Sequence, residues 1–198
     1  MHVIASGDSE GVSRSLQEQP ELALAQMQKG ASRGGEPDFF LAEIEHHVYA
    51  GHSALHVAAA AYALDAARAL LAAGASISVE NRRGAQPLHY AADGNPMSPR
   101  WDPVAQHEIV AFLLASGADP DATDKNGTTP LLRAVRNLSA SAVEALLEGG
   151  ADPNAVNKSG STAVELADGT TGRGGSGFAE AKAQQREILR LLRAAGAR

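Results

Sequence analysis

The sequence predicts an all-α fold, a solenoid of helix–turn–helix units stacked along one axis. Two observations predict it. A glycine-opened segment recurs four times: Gly51-His52-Ser53-Ala54-Leu55-His56-Val57-Ala58-Ala59, Gly84-Ala85-Gln86-Pro87-Leu88-His89-Tyr90-Ala91-Ala92, Gly127-Thr128-Thr129-Pro130-Leu131-Leu132-Arg133-Ala134-Val135 and Gly160-Ser161-Thr162-Ala163-Val164-Glu165-Leu166-Ala167. The opening glycines are 33, 43 and 33 residues apart. Each segment is then followed by a leucine pair and Gly-Ala: Leu70-Leu71 with Gly74-Ala75, Leu113-Leu114 with Gly117-Ala118, Leu146-Leu147 with Gly150-Ala151, and Leu191-Leu192 with Gly196-Ala197. A period of this length marks one supersecondary unit that buries its apolar face only by stacking on its neighbours.

The elements follow in order. Residues 1–29 read as an N-terminal capping helix pair, since Ile4-Ala5-Ser6-Gly7-Asp8 leads to Val12 and Leu16. Residues 30–50 read as an insertion. Gly30-Ala31-Ser32-Arg33-Gly34-Gly35-Glu36-Pro37 is a flexible linker by composition, and Phe40, Ile44 and Val48 at helical spacing predict an extra helix over 38–48. That helix would shield the apolar edge of the first repeat or act as an arm beside a binding face. Repeats are expected over 51–83, 84–126 and 127–159, with a C-terminal capping repeat over 160–198. Thr129-Pro130 is the clearest helix start, an N-cap followed by a proline in the first turn. In Ala66-Ala67-Arg68-Ala69-Leu70-Leu71 the leucines face the stack and Arg68 faces water. Gly74 and Gly117 suit left-handed C-caps. Asp119-Pro120-Asp121 and Asp152-Pro153-Asn154 open the loops to the next repeats. The leucine pair begins 19 residues after the opening glycine in the first and third repeats, but 29 and 31 after it in the second and fourth. Extra residues therefore lie between the two helices of those repeats.

These segments resemble the ankyrin repeat family, whose mark is Gly-x-Thr-Pro-Leu-His-x-Ala-Ala at a period near 33 residues. The resemblance covers residues 51–198 in about four recognisable repeats. Ala54 and Ala163 depart from the proline, and Leu132 and Glu165 from the histidine. The longer stretches also resemble a group of bacterial ankyrin-repeat proteins to which no activity attaches. The resemblance implies a scaffold or regulator that binds another protein through its concave face and finger loops. It places the contacts at Tyr49, His52, Arg82, Arg83, Asp93, Lys125, Asn126, Arg133, Arg136, Asn137 and Lys158. Most of these charges are basic, which suggests a partner with an acidic segment.

Composition narrows the alternatives. There is no cysteine, so neither a disulfide nor a thiolate metal site is available. The formal net charge of −6 argues against generic nucleic-acid binding. No apolar run of about 18 residues suggests a membrane span, and Met1–Asp8 has no signal-peptide character. The expectation is a soluble, cytoplasmic monomer without cofactor. No Ser–His–acid or paired-carboxylate constellation stands out, so catalysis is not expected.

Four further features invite a sharper reading. His46, His47, His52 and His56 cluster in sequence, but adjacent histidines on a helix point to different faces, and the resemblance gives His56 a turn-bracing hydrogen bond. Metal is not expected. Asp119–Gly127 lacks the glycine and glutamate spacing of a calcium loop. Gly169-Thr170-Thr171-Gly172-Arg173-Gly174-Gly175-Ser176-Gly177 lacks the ending of a phosphate loop, and is either a connector or an anion nest. The insertion Asp93–Pro103 carries the only tryptophan. If the loops at 93–103 and 168–179 face each other across the third repeat, Arg100, Trp101, Arg173 and Ser176 line a secondary site for a small ligand or anion.

Overall fold

The computed structural model describes residues 1–30, 40–169 and 179–198. Its helices come in pairs. The N-terminal pair is α1 (His2–Ala5) and α2 (Ser9–Glu18), with Asp8 capping α2 by accepting from the Gly11 N–H at 2.8 Å. A 3-10 turn, Pro20–Ala23, follows. The repeats then contribute α3 (Ala54–Ala60) and α4 (Leu64–Ala72), α5 (Pro87–Ala91) and α6 (Pro103–Ala115), α7 (Pro130–Arg136) and α8 (Ala140–Glu148), and α9 (Ala163–Gly169) and α10 (Ala179–Ala194). First helices pack in the order α1, α3, α5, α7, α9 and second helices in the order α2, α4, α6, α8, α10. The result is the expected all-α stack, two helical layers deep.

Local chemistry explains the starts of the first helices of the repeats. Thr129 caps α7 by accepting from the Leu132 N–H at 3.2 Å, and Pro130 occupies a first-turn position that needs no donor. In α3 and α5 the histidine of the motif closes the turn. His56 Nδ1 accepts from the Ser53 N–H at 3.2 Å, and His89 Nδ1 accepts from the Gln86 N–H at 3.1 Å. Their Nε2–H groups then donate to the Ala85 and Thr128 carbonyls of the following repeats, at 2.9 and 3.0 Å. Each histidine thus braces its own helix and ties one repeat to the next. In the fourth repeat Glu165 takes over the local half of the task, accepting from the Thr162 N–H at 2.9 Å.

The core is made of small and branched side chains. Leu55, Leu88 and Leu131, at the same motif position, are fully buried between the layers. So are Leu70, Leu113 and Leu146, the first of each leucine pair, while Leu71, Leu114 and Leu147 lie at the edge. Only in the last repeat does the phase change: Leu192 is buried and Leu191 is not. The cause is the helix end. Ala75, Ala118, Ala151 and Ala197 donate to Leu70, Leu113, Leu146 and Leu192 respectively at 2.9–3.0 Å, across a glycine with φ between +85° and +94°. The buried leucine is the one four residues before that glycine, so position relative to the C-cap decides the register.

One expected element differs. Residues 40–48 form no helix. Strands β1 (Phe40–Leu41) and β2 (His46–His47) pair antiparallel, Phe40 opposite His47 and Leu41 opposite His46. Of the residues at helical spacing only Val48 is buried; from the hairpin Leu41 joins it in the core, while Phe40 is exposed. Glu45 takes φ +50°, which closes the turn and is incompatible with a helix. The linker residues 31–39 lie outside the described residues, as does the glycine-rich segment 170–178.

Candidate functional site

The loops between repeats share one construction. An Asn or Asp three residues before the opening glycine accepts two backbone N–H groups. Asn81 Oδ1 accepts from Arg83 and Ala85 at 2.8 and 3.2 Å, Asp124 Oδ1 from Asn126 and Thr128 at 2.7 and 3.0 Å, and Asn157 Oδ1 from Ser159 and Ser161 at 2.9 and 3.0 Å. Such side-chain turns fix a loop without help from a sheet. The tips then hydrogen-bond to one another. The N–H groups of Arg82, Lys125 and Lys158 donate to the carbonyls of Ala50, Arg83 and Asn126, at 3.3, 2.9 and 3.0 Å. Gly51, Gly84 and Gly127 let the neighbouring tips approach: a Cβ on Gly51 would stand 2.8 Å from the Arg82 nitrogen.

This construction brings part of the expected contact set together on one edge. Arg82, Arg83, Lys125, Asn126 and Lys158 are all exposed at the tips, and Arg136 is exposed at the end of α7. Tyr49 is half-buried, with the guanidinium carbons of Arg82 and Arg83 at 5.2 and 5.0 Å from its ring centroid. A cation so placed is held by the ring's electron-rich face.

Of the remaining expected contacts, His52 and Asn137 are buried and Asp93 and Arg133 are half-buried. His52 is 1 % exposed and stacks on His56, with ring centroids 5.1 Å apart. Its Nδ1 accepts from the Tyr49 N–H, which leaves the proton on Nε2, 2.8 Å from the Tyr90 hydroxyl. Asn81 donates to the same hydroxyl at 2.8 Å. Arg133 lies over the Tyr90 ring at 4.7 Å and donates to Asp93 at 2.8 Å, while Asn137 also donates to Asp93. His52 and Asn137 are therefore not available to a partner as side-chain contacts. Asp93 and Arg133, at 11 % and 21 % side-chain exposure, are engaged with each other. Burial pushes His52 down to about 2 and His56 and His89 to about 4, with nearby positive groups adding to it, so all three rings are neutral.

The insertion at 93–103 meets the β-hairpin. Arg100 donates to the Ala42 carbonyl and Ser98 donates to Glu45 at 3.1 Å, both in the turn of the β-hairpin. Trp101 donates its indole N–H to Gln106 at 2.8 Å. Gln106 is also reached by Ser139 and Ser141, at 2.6 and 2.9 Å, and donates to the Ala91 carbonyl. Between hairpin and insertion lies a cleft of about 190 Å³, lined by Glu43, Glu45, Tyr62, Arg100 and Trp101 among others. Arg173 and Ser176, the other half of the expected secondary site, lie outside the described residues. Among the described residues no three of His, Asp and Glu are grouped to hold a metal ion, and no helix is long and apolar enough to cross a membrane.

Comparison with known proteins agrees with this architecture. A model described as "Ankyrin repeat" matches residues 50–82 and 83–125, and one described as "Ankyrin repeats (many copies)" matches residues 110–167. The chain is 36% identical over 86 residues to neurogenic locus notch homolog protein 1 of Mus musculus, covering 43% of this chain and 3% of that protein. The Homo sapiens protein of the same name is 35% identical over 86 residues, with the same coverage. An ankyrin repeat and LEM domain-containing protein 1 homolog of Caenorhabditis elegans is 44% identical over 66 residues, covering 33% of this chain and 8% of that one. The chain thus spans less than a tenth of the length of these relatives. The family matches run together from residue 50 to 167, where the motif histidines, capped helix starts and glycine-closed helix ends recur, and the chain belongs to the ankyrin repeat family.

Proposed function

We propose that this chain is a protein-interaction module, a scaffold or regulator, whose partner docks along the finger tips and the adjoining exposed side chains of the first helices through an acidic segment. One observation carries the reading. Arg82, Arg83, Lys125 and Lys158 are exposed on successive tips of a chain whose formal net charge is −6. Guanidinium and ammonium groups concentrated on one edge recognise carboxylates by charge-assisted hydrogen bonds, and complementary charge speeds encounter as well as selecting the partner. Family membership supports binding over catalysis. The buried set around Asp93 and Arg133 underlies this edge and stiffens it; it does not contact the partner.

The test is quantitative capture with the intact chain and with Arg82→Glu/Lys125→Glu, both checked for unaltered thermal unfolding. A partner lost at least tenfold with the variant supports the reading. Equal retention of every captured protein by both forms overturns it.

A second reading, a small-ligand sensor, is favoured by the cleft where Arg100 and Trp101 meet the hairpin. A thermal-shift screen with phosphate compounds and small carboxylates tests it, since a ligand of the native state raises the melting temperature. No shift with the intact chain, at ligand concentrations up to the millimolar range, eliminates it.

A further inference from the structure

Three successive tips place a basic residue directly after the Asn or Asp that braces the loop: Arg82 after Asn81, Lys125 after Asp124 and Lys158 after Asn157. The lysines are not splayed into solvent. Lys125 Nζ donates to the Arg82 carbonyl at 2.8 Å, and Lys158 Nζ donates to the Lys125 carbonyl at 2.9 Å. Each side chain lies back along the stack with its ammonium held over the preceding tip. An ammonium has three donors, so each keeps two beyond the one engaged. The neighbouring acid at the tips, Asp124, is occupied by two backbone N–H groups; Glu80 is exposed beside Arg82. Arg83 flanks Arg82, and both lie on Tyr49. The result is a column of fixed cations with one step per repeat.

We propose that this column binds an extended protein segment, of polyproline II type, in which acidic residues recur at every third position. The inference rests on the docking reading above and adds the register. Packed helices, and hence the tips of adjacent repeats, are about 10 Å apart. A polyproline II chain has three residues per turn and rises about 3.1 Å per residue, so every third side chain returns to the same face after about 9 Å. Carboxylates at i, i+3 and i+6 would meet the three tips in turn. A β-strand alternates faces and repeats at about 6.6 Å, and a helix needs about seven residues to cover one step. The strand therefore misses the step, whereas a helix reaches it only with acids about seven residues apart, a spacing distinct from the three-residue register proposed. Holding the ammonium groups in advance lowers the ordering cost of binding.

The test uses the intact chain and fluorescein-labelled 12-residue peptides of identical Glu, Pro and Ala content. One has glutamate at every third position; the other has the glutamates at alternate positions and then none. Anisotropy is read at two salt concentrations, with an oligothymidylate of equal charge as a third probe. The expected result is that the period-three peptide binds at least tenfold more tightly than its isomer. Lys125→Gln/Lys158→Gln, with unaltered thermal unfolding, should erase that advantage. Equal, measurable affinity for the two peptides overturns the register while leaving acidic docking intact. Failure of both peptides to bind overturns the inference together with the docking reading. Binding of the oligothymidylate as tightly as the period-three peptide also overturns it, in favour of a generic polyanion site.

Discussion

Arg133 sits over Tyr90 with its charge answered by Asp93, which Asn137 also reaches. These groups come from two repeats and share one mostly buried site. Burial by itself opposes the Arg133 charge, but Asp93 and the Tyr90 hydroxyl outweigh it and hold the guanidinium above its ordinary value. Removing one partner of such a pair leaves an uncompensated charge, at a cost of about 3–5 kcal/mol. Asp93→Ala should therefore lower the urea midpoint strongly. Asp93→Ala/Arg133→Met should recover most of the loss, because an apolar side chain of similar length needs no counter-charge. If the double variant is no more stable than the single one, the ion pair is not what the site depends on. Sequence reading placed His52, Asp93, Arg133 and Asn137 on the binding face. Of these, His52 and Asn137 are buried, while Asp93 and Arg133 keep 11 % and 21 % of their side-chain surface exposed. What buries His52 is Tyr90, 38 residues away and in the next repeat, and no local pattern announces that contact.

At the scale of the element, glycines with the same backbone conformation have different neighbours. Gly74 closes α4 at φ +92° with open space where a Cβ would point. Gly51 has φ +83°, but a Cβ there would meet the Arg82 nitrogen at 2.8 Å and the Asn81 Cα at 2.9 Å, both backbone atoms. Gly74→Ala should cost only the left-handed penalty, about 1–2 kcal/mol. Gly51→Ala adds a clash that only displacement of a loop can relieve, so its loss should be clearly larger. Thermal unfolding of the two variants decides the matter; equal losses would show that the inter-tip contact yields readily. At the same scale, residues 40–48 form a hairpin where a helix is expected. Phe40, Ile44 and Val48 have helical spacing, yet two of the buried positions, Leu41 and Val48, lie one on each arm of a hairpin. Short apolar runs do not distinguish the two conformations by periodicity, and a helix of that length has little propensity to nucleate alone.

At the scale of the whole molecule, three buried histidines make the stack acid-sensitive. His52 is depressed to about 2, and His56 and His89 to about 4, whereas an unfolded histidine titrates near 6.5. Between those values the unfolded chain binds protons that the native chain does not. Their contribution to stability is therefore complete above about pH 6.5 and is lost as pH falls towards 4 for His56 and His89 and on towards 2 for His52. Each such proton steepens the loss by at most about 1.4 kcal/mol per pH unit. Urea unfolding from pH 8 to 5 should show stability falling with acid, with up to three protons taken up on unfolding. His89→Leu, which copies the buried Leu132 of the next repeat, should reduce that uptake by one. A stability profile flat from pH 7 to 5 would show that these rings are not neutral in the native state.

The sequence by itself determined the repeat, its helices and their caps. Each of these depends on residues a few positions apart: Thr129 and Leu132 at a helix start, a leucine four before a glycine at a helix end, an Asn or Asp three before a glycine in a loop. It also located the basic tips, because loop tips are exposed wherever a motif places them. Tertiary structure decided which motif residues are consumed internally, whether residues 40–48 pair as strands, and that the insertion at 93–103 closes on the hairpin turn. Apart from the local strand pairing itself, those outcomes depend on contacts between segments far apart in sequence. His52 with Tyr90, Asp93 with Arg133 and Arg100 with Ala42 are separated by 38, 40 and 58 residues. Such pairs form only once stacking has set the distance between units, and the energy that selects them is absent from either segment alone.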